Sequence, residues 1–127
     1  MQLVTTEEAA YPDNPYGFEG SWGSPTASTE VEVVLPPSPA LVQSPFHFKV
    51  RFKPHGGAAV DSDSIALTYW KVPAIDITQR IRHFIQGDTI DITDAELPAG
   101  MHPFRIDVKD NRGRLSAPFF FKIGVEK

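Results

Sequence analysis

The sequence predicts an all-β sandwich, and three observations support this prediction. Segments in which apolar and polar residues alternate recur along the chain, as expected of strands with one buried and one solvated face. Turn-forming residues separate these segments at roughly the 8 to 12 residue spacing that is typical of sandwiches. No long helical pattern interrupts them. Because the chain has 127 residues and no cysteine, we expect one domain whose core is large enough to fold without disulfides.

Residues 1–30 differ in composition from the rest of the chain. They are rich in Pro, Gly, Ser and Thr, and among Leu, Ile, Val and Phe they contain only Leu3, Val4 and Phe18. They carry acidic residues and no Lys or Arg, so this part is acidic and the remainder is close to neutral. We therefore predict a flexible acidic tail over residues 1–30 and the folded domain over residues 31–127. Four aromatic residues of this tail would either anchor a partner or cover the domain itself: Tyr11, Tyr16, Phe18 and Trp22.

Three strands are predicted in the first half of the domain. Residues 31–35 alternate briefly before a proline-rich stretch, which is typical of an edge strand. Residues 46–53 show the most regular alternation, and a slip by one residue would bury their charged side chains. In residues 65–72 the side of Ile65, Leu67 and Tyr69 is predicted to face the core, which leaves Trp70 partly covered or exposed. The core side of residues 46–53 would consist of Phe46, Phe48, Val50 and Phe52.

The second half of the domain ends in a predicted hairpin. Residues 75–77 are extended, but in residues 78–85 the apolar spacing changes to that of a helix, with Thr78 placed to cap it. A single helical turn and a twisted strand both fit this segment. Ile90 and Ile92 indicate a short strand. The alternating residues 104–109 and 119–125 are separated by turn formers, so the second strand should return antiparallel to the first.

The turn and strand motifs resemble those of a known family. They are Val60-Asp61-x-Asp63-Ser64-Ile65, Leu97-Pro98-Ala99-Gly100-x-His102, Asp110-Asn111-x-Gly113-Arg114 and the Phe-x-Phe-x-Ile pattern of residues 119–123. In this order they resemble bacterial immunoglobulin-like or fibronectin-III-like modules of exported proteins, over about residues 32–125. The resemblance implies an immunoglobulin-like β-sandwich of about seven antiparallel strands. Many such folds have a tyrosine whose hydroxyl bonds back across the corner before the penultimate strand, and His102 holds that position here.

The closing pattern is also similar to that of the periplasmic copper-carrier CopC family, which is itself an immunoglobulin-like sandwich. The CopC pattern has a histidine directly after the turn glycine and then a proline, whereas this chain has Arg114 and Leu115. The N-terminal histidine of the family's mature proteins is missing as well. Because arginine does not ligate a metal at neutral pH, the resemblance does not carry copper binding over to this chain.

Two sets of residues could supply metal ligands. The four histidines have no ligand spacing, and a metal site would need three of them to converge: His47, His55, His83 and His102. Six acidic residues could supply oxygen ligands for calcium but lack the spacing of an EF-hand: Asp61, Asp63, Asp88, Asp91, Asp94 and Glu96. Capping of turns explains several of these acidic residues equally well. We therefore assign no metal ligand and keep a metal-handling periplasmic β-sandwich, for copper or calcium, as the alternative function.

The remaining patterns argue against catalysis and nucleic-acid binding. The stretch Gly20-Ser21-Trp22-Gly23 is not a nucleophile elbow, and Gly56-Gly57 lacks the context of a phosphate-binding loop. A net charge of -4 does not favour binding to phosphates, and no run of 18 apolar residues is present. Basic residues at outward positions would either attract an acidic partner or form a solvated face with Asp107 among them: Lys49, Arg51 and Lys53, potentially with Arg105 and Lys109.

We therefore expect a non-catalytic interaction or spacer module of an exported bacterial protein, which binds protein or glycan through exposed strands or loops. We expect no catalytic, cofactor-binding or metal-binding residues, no nucleic-acid partner and no membrane insertion. The expected location is the periplasm or the cell surface, and a monomer is favoured.

Overall fold

The computed structural model describes residues 1–16, 29–37 and 41–127. These residues form an all-β protein with eight strands in two antiparallel sheets of four strands each. The strands are β1 (Thr29–Leu35), β2 (Phe46–Pro54), β3 (Val60–Tyr69), β4 (Ile75–Asp76), β5 (Ile85–Gln86), β6 (Thr89–Ala95), β7 (Gly100–Asp110) and β8 (Phe119–Val125). Two short helices accompany them, α1 (Thr6–Ala9) and α2 (Thr78–Ile81), and a 3₁₀ turn follows α2 at Arg82–Phe84.

The two sheets share one apolar core. The first sheet has the strand order β1-β2-β6-β5 and the second has the order β4-β3-β7-β8. The alternation predicted for β2 is confirmed, since every second side chain is buried: Phe46, Phe48, Val50 and Phe52. In β3, Ile65, Leu67 and Tyr69 are buried while Trp70, which follows the strand, is half-buried, also as predicted. Each strand thus contributes one face to the core and one to the surface.

The predicted closing hairpin is confirmed. β7 and β8 pair antiparallel from Gly100 opposite Val125 to Ile106 opposite Phe119. After β7 the buried side chain of Asp110 organises the turn, because its Oδ1 accepts hydrogen bonds from the backbone N–H groups of Arg112 at 2.9 Å and Arg114 at 3.0 Å. Its Oδ2 accepts from Arg114 Nε at 2.7 Å.

Of the two structures considered for residues 78–85, the helical turn is the one that forms. Helix α2 and the 3₁₀ turn span residues 78–84, and β5 starts at Ile85. The predicted capping role of Thr78 is wrong: Ile77 is the N-cap and makes no side-chain bond. Thr78 is buried, and its Oγ1 accepts a hydrogen bond from the backbone N–H of Leu67 at 2.9 Å. The sequence predicted that this hydroxyl caps the helix, but it bonds to β3 instead.

The first sixteen residues are packed on the sandwich, which differs from the flexible tail predicted over residues 1–30. Leu3 and Val4 have no exposed surface and belong to the core. Thr5 caps α1 through a capping box with Glu8. Tyr11 and Tyr16 are exposed at the surface. The rest of the predicted tail up to residue 28, including Phe18 and Trp22, lies outside the described residues.

Candidate functional site

A groove of about 540 Å³ lies between the edge strands of the two sheets, β1 and β8. Its volume is within the range of about 300 to 1,000 Å³ that is usual for ligand sites. Among the described residues its lining is largely apolar. It consists of Val31, Glu32, Val33, Pro36, Pro37, Leu41, Met101 and residues 119–124.

The groove exists because each sheet ends at this side of the molecule. Val31 and Val33 of β1 and Phe119 and Phe121 of β8 pack against the core but are only partly buried. Phe121 is tied to the interior by ring contacts with Phe48 at 6.0 Å and with Phe104 at 5.3 Å between centroids. The floor of the groove is therefore a rigid, apolar extension of the core.

Two exposed apolar side chains form one end of the groove. Leu41 is 56% exposed and Met101 is 55% exposed. Both lie over Gly124, where an added Cβ would collide with Leu41 Cδ2 and would lie 2.9 Å from Met101 Sδ. A larger residue at this position of β8 would therefore have to displace Leu41 and Met101.

The described lining of the groove is mostly apolar and holds few polar side chains. Among its described lining residues, the only charged side chains are those of Glu32 and Lys122. Glu32 is paired on the outer side with Lys53 at 3.3 Å. Apart from these two side chains, the described lining contains no histidine, serine, threonine, tyrosine or aspartate that could act as an acid, base or nucleophile.

The basic residues do not share one face, so that part of the prediction is wrong. Lys49, Arg51 and Lys53 lie on β2 of the first sheet, whereas Arg105 and Lys109 lie on β7 of the second. The two sets therefore face opposite sides of the protein.

Acidic neighbours accompany both sets of basic residues. Arg51 lies opposite Glu32 of β1, and Lys49 lies opposite Asp91 of β6. On the other sheet, Arg105 binds Asp107 through two hydrogen bonds of 2.9 and 3.0 Å. These pairings fit a solvated face with alternating charges.

The structure does not bring the candidate metal ligands together. No group of three or more His, Asp or Glu side chains in residues 1–16, 29–37 and 41–127 is arranged to hold a metal ion. His47 pairs with Asp91, while His55 and His83 are exposed. Asp61 lies in β3, not in a turn, and its Oδ1 accepts from the backbone N–H of Asp63 at 3.2 Å.

The other sequence candidates have separate positions. Asp94 and Glu96 contact the ammonium group of Met1 at 3.4 and 2.8 Å. Asp88 is exposed in the turn before β6. Gly56 and Gly57 have φ angles of 66° and 73° and form a turn, while Gly20-Ser21-Trp22-Gly23 lies outside the described residues.

One histidine is buried in a hydrogen-bonded network. His102 is 2% exposed; its Nε2 lies 2.6 Å from the carbonyl oxygen of Pro98, and its Nδ1 lies 2.8 Å from the hydroxyl of Tyr69. Because a carbonyl can only accept, Nε2 carries the proton, so Nδ1 accepts from the Tyr69 hydroxyl. The imidazole thus bonds back across the corner before β7, from the position noted in the sequence.

Charged groups surround this histidine at the end of β3. Lys71 Nζ lies 5.6 Å from the centre of the Tyr69 ring and 2.7 Å from Asp13 Oδ1. Burial, together with the charge of Lys71, lowers the pKa of His102 below its usual 6.5, although the bond to Pro98 and the charge of Asp13 act in the opposite direction. Burial also raises the pKa of Tyr69, which stays neutral. The sequence placed His102 at the corner, but nothing in it indicated Tyr69 or Lys71 as its neighbours.

Comparison with known proteins adds no relative. No protein family, curated protein or solved structure matches this chain. Of the helices in the described part of the chain, none has the length and apolar character needed to cross a membrane.

Proposed function

We propose that this protein is a non-catalytic interaction module with an immunoglobulin-like fold, and that it binds an extended, apolar segment of a partner protein in the groove between β1 and β8. The observation that carries this proposal is the groove itself, which is apolar and lies beside a sheet edge. We also infer, from the resemblance of the turn motifs, that the module belongs to an exported bacterial protein and works in the periplasm or at the cell surface.

The strand order supports the immunoglobulin-like part of the proposal. In the immunoglobulin fold, strands A, B, E and D form one sheet and C, F and G form the other, and some variants add C′ beside C. With β4 taken as C′, the eight strands of this protein follow that order in both sheets. The hydrogen bond of His102 to Pro98 also corresponds to the corner bond of many such folds.

The edge strand β1 supports a peptide as the occupant. Within the described residues β1 pairs with β2 alone, and no hydrogen bond between described residues reaches its other edge, which lies beside the groove. An extended peptide can pair with such an edge while every second side chain enters the adjoining pocket. A glycan matches this lining less well, because its hydroxyl groups would lose water without gaining hydrogen-bond partners.

Selection of peptides on the immobilised full chain tests this proposal, followed by isothermal titration with each selected peptide. We expect selected sequences in which apolar residues alternate. Met101→Lys should weaken their binding at least tenfold, because it puts a charge at the end of the groove, where Met101 is 55% exposed. Val72→Lys is the matched control, since Val72 is 47% exposed and is not among the groove residues.

Three outcomes would overturn the proposal. The first is a selection that yields no peptide above background. The second is equal loss of binding in the two lysine variants. The third is a sugar, found on a glycan array, whose binding Met101→Lys abolishes; it would replace the peptide as the occupant.

A further inference from the structure

We propose that His102 is an acid-sensitive lock which holds the N-terminal segment, defined as residues 1–14, on the sandwich. When the imidazole is neutral, it joins the two parts of the domain to which this segment is bound. When it takes up a second proton, this link is lost and the hold on the segment weakens.

The hydrogen bonds of the N-terminal segment end on both sides of His102. At the first side, the N–H of Leu3 donates to the carbonyl of Glu96 at 3.0 Å, and the N–H of Glu96 donates to Met1 at 2.8 Å. Glu96 lies two residues before Pro98, the partner of His102 Nε2.

The second attachment lies just beyond Tyr69, the partner of His102 Nδ1. The N–H of Val72 donates to the carbonyl of Pro12 at 2.8 Å, and the N–H of Asn14 donates to Trp70 at 3.3 Å. The imidazole is therefore a direct link between these two attachment points, while Arg80 forms a third by donating to the carbonyl of Leu3 at 2.9 Å and to the carboxylate of Glu8.

Protonation of His102 disrupts its hydrogen bond with Tyr69. A proton on Nδ1 turns that atom from an acceptor into a donor, and it then faces the hydroxyl of Tyr69, which is donating toward it. The hydroxyl would have to turn its hydrogen away, and no second acceptor bonds it among the described residues. The new positive charge would also be enclosed, since His102 is buried.

Charged groups on the neighbouring elements act in both directions. Lys71, just after β3, repels a protonated His102, whereas Asp13 of the N-terminal segment attracts it. Glu8 acts on the adjoining Tyr69 and is itself bound to Arg80 by two hydrogen bonds. β8 places the apolar Ile123 opposite His102. Burial and Lys71 prevail, so the pKa of His102 lies below 6.5 in the closed state.

The sign of the effect follows from this lowered pKa. In an open state that water reaches, His102 takes up its proton near the ordinary pKa of 6.5, so the open state gains stability as the pH falls below that value. Above it both states hold a neutral imidazole, and the segment stays bound. If the closed state binds no proton at all at pH 5.0, linkage sets an upper limit of about 30-fold on the shift toward the open state.

Hydrogen exchange of the full chain at pH 7.5 and 5.0, corrected for the intrinsic exchange rate, tests the lock. We expect the amides of Leu3 and Val72 to lose up to about 30-fold in protection at pH 5.0. The amide of Phe52, which bonds to Asp88 in a different part of the domain, should keep its protection. The variant His47→Gln removes an exposed histidine and should show the same loss as the unaltered chain.

Two further measurements make the lock falsifiable. Tyr69→Phe takes the donor from Nδ1, so we expect a higher pKa for His102 and a smaller loss of protection at pH 5.0. NMR titration of the His102 ring in the unaltered chain should give a pKa below 6.5. The proposal is overturned by a pKa at or above 6.5, by an undiminished loss in Tyr69→Phe, or by equal loss at Phe52, which would indicate general acid unfolding.

Discussion

Replacement of Leu3 by alanine tests whether the N-terminal segment is packed on the domain or flexible. Leu3 has no exposed surface and contacts the common core. Truncation of a buried leucine to alanine costs about 2 to 5 kcal/mol, because apolar contact is lost and a cavity remains. Because Leu3 lies in a terminal segment, local opening of that segment would limit the loss, so we expect about 3 kcal/mol, from the lower half of that range. A flexible tail would lose nothing.

Equilibrium unfolding in urea measures this difference. With a urea dependence of about 2 kcal/mol per molar, a loss of 3 kcal/mol lowers the midpoint by about 1.5 M. Leu115→Ala is the control, because Leu115 is 61% exposed and truncation at such a site changes stability by less than about 0.5 kcal/mol. Equal midpoints for the two variants would refute the packing of Leu3 into the core.

Three further predictions concern other parts of the protein. The hydrogen bonds from Arg80 lower the pKa of Glu8 from 4.5 to about 2. The pair of Glu8 and Arg80 therefore stabilises the fold fully above pH 4.5 and loses this contribution as the pH falls toward 2. Over that range the urea midpoint should fall less steeply in Glu8→Gln than in the unaltered chain. Gly124→Val should displace Leu41 and weaken peptide binding, which titration calorimetry would detect, whereas unchanged affinity would contradict the close packing there. Although burial opposes it, hydrogen bonds from the turn lower the pKa of Asp110; Asp110→Asn should therefore speed amide exchange at Arg114, and an unaltered rate would count against this anchor.

The strands could be predicted because their signal is local. In β2 the alternation of phenylalanine and valine with charged residues repeats every second position, and that period alone decides which side chains face the core. The hairpin of β7 and β8 has the same signal together with turn formers between the strands. Residues 78–85 lack one clear period, so the sequence left a helical turn and a twisted strand open, and the structure has the helical turn.

The N-terminal segment could not be predicted from its own composition. Its acidic residues and proline are typical of a flexible chain, and among Leu, Ile, Val and Phe it contains only Leu3 and Val4. Both side chains are buried in the core, and the backbone of Glu96 forms hydrogen bonds with Met1 and Leu3. Glu96 is more than ninety positions away from both residues in the chain, so no local sequence pattern could indicate these contacts.

The sequence by itself determined an all-β fold, the inward faces of β2 and β3 and the closing hairpin, because these depend on a two-residue period and on turn chemistry. Only the tertiary structure decided which sheet edges lie side by side to form the groove of β1 and β8 and which side chains surround His102. It also separated the basic residues of β2 from those of β7 onto opposite faces. Strand order decides such contacts, since it brings together residues that are remote in the chain.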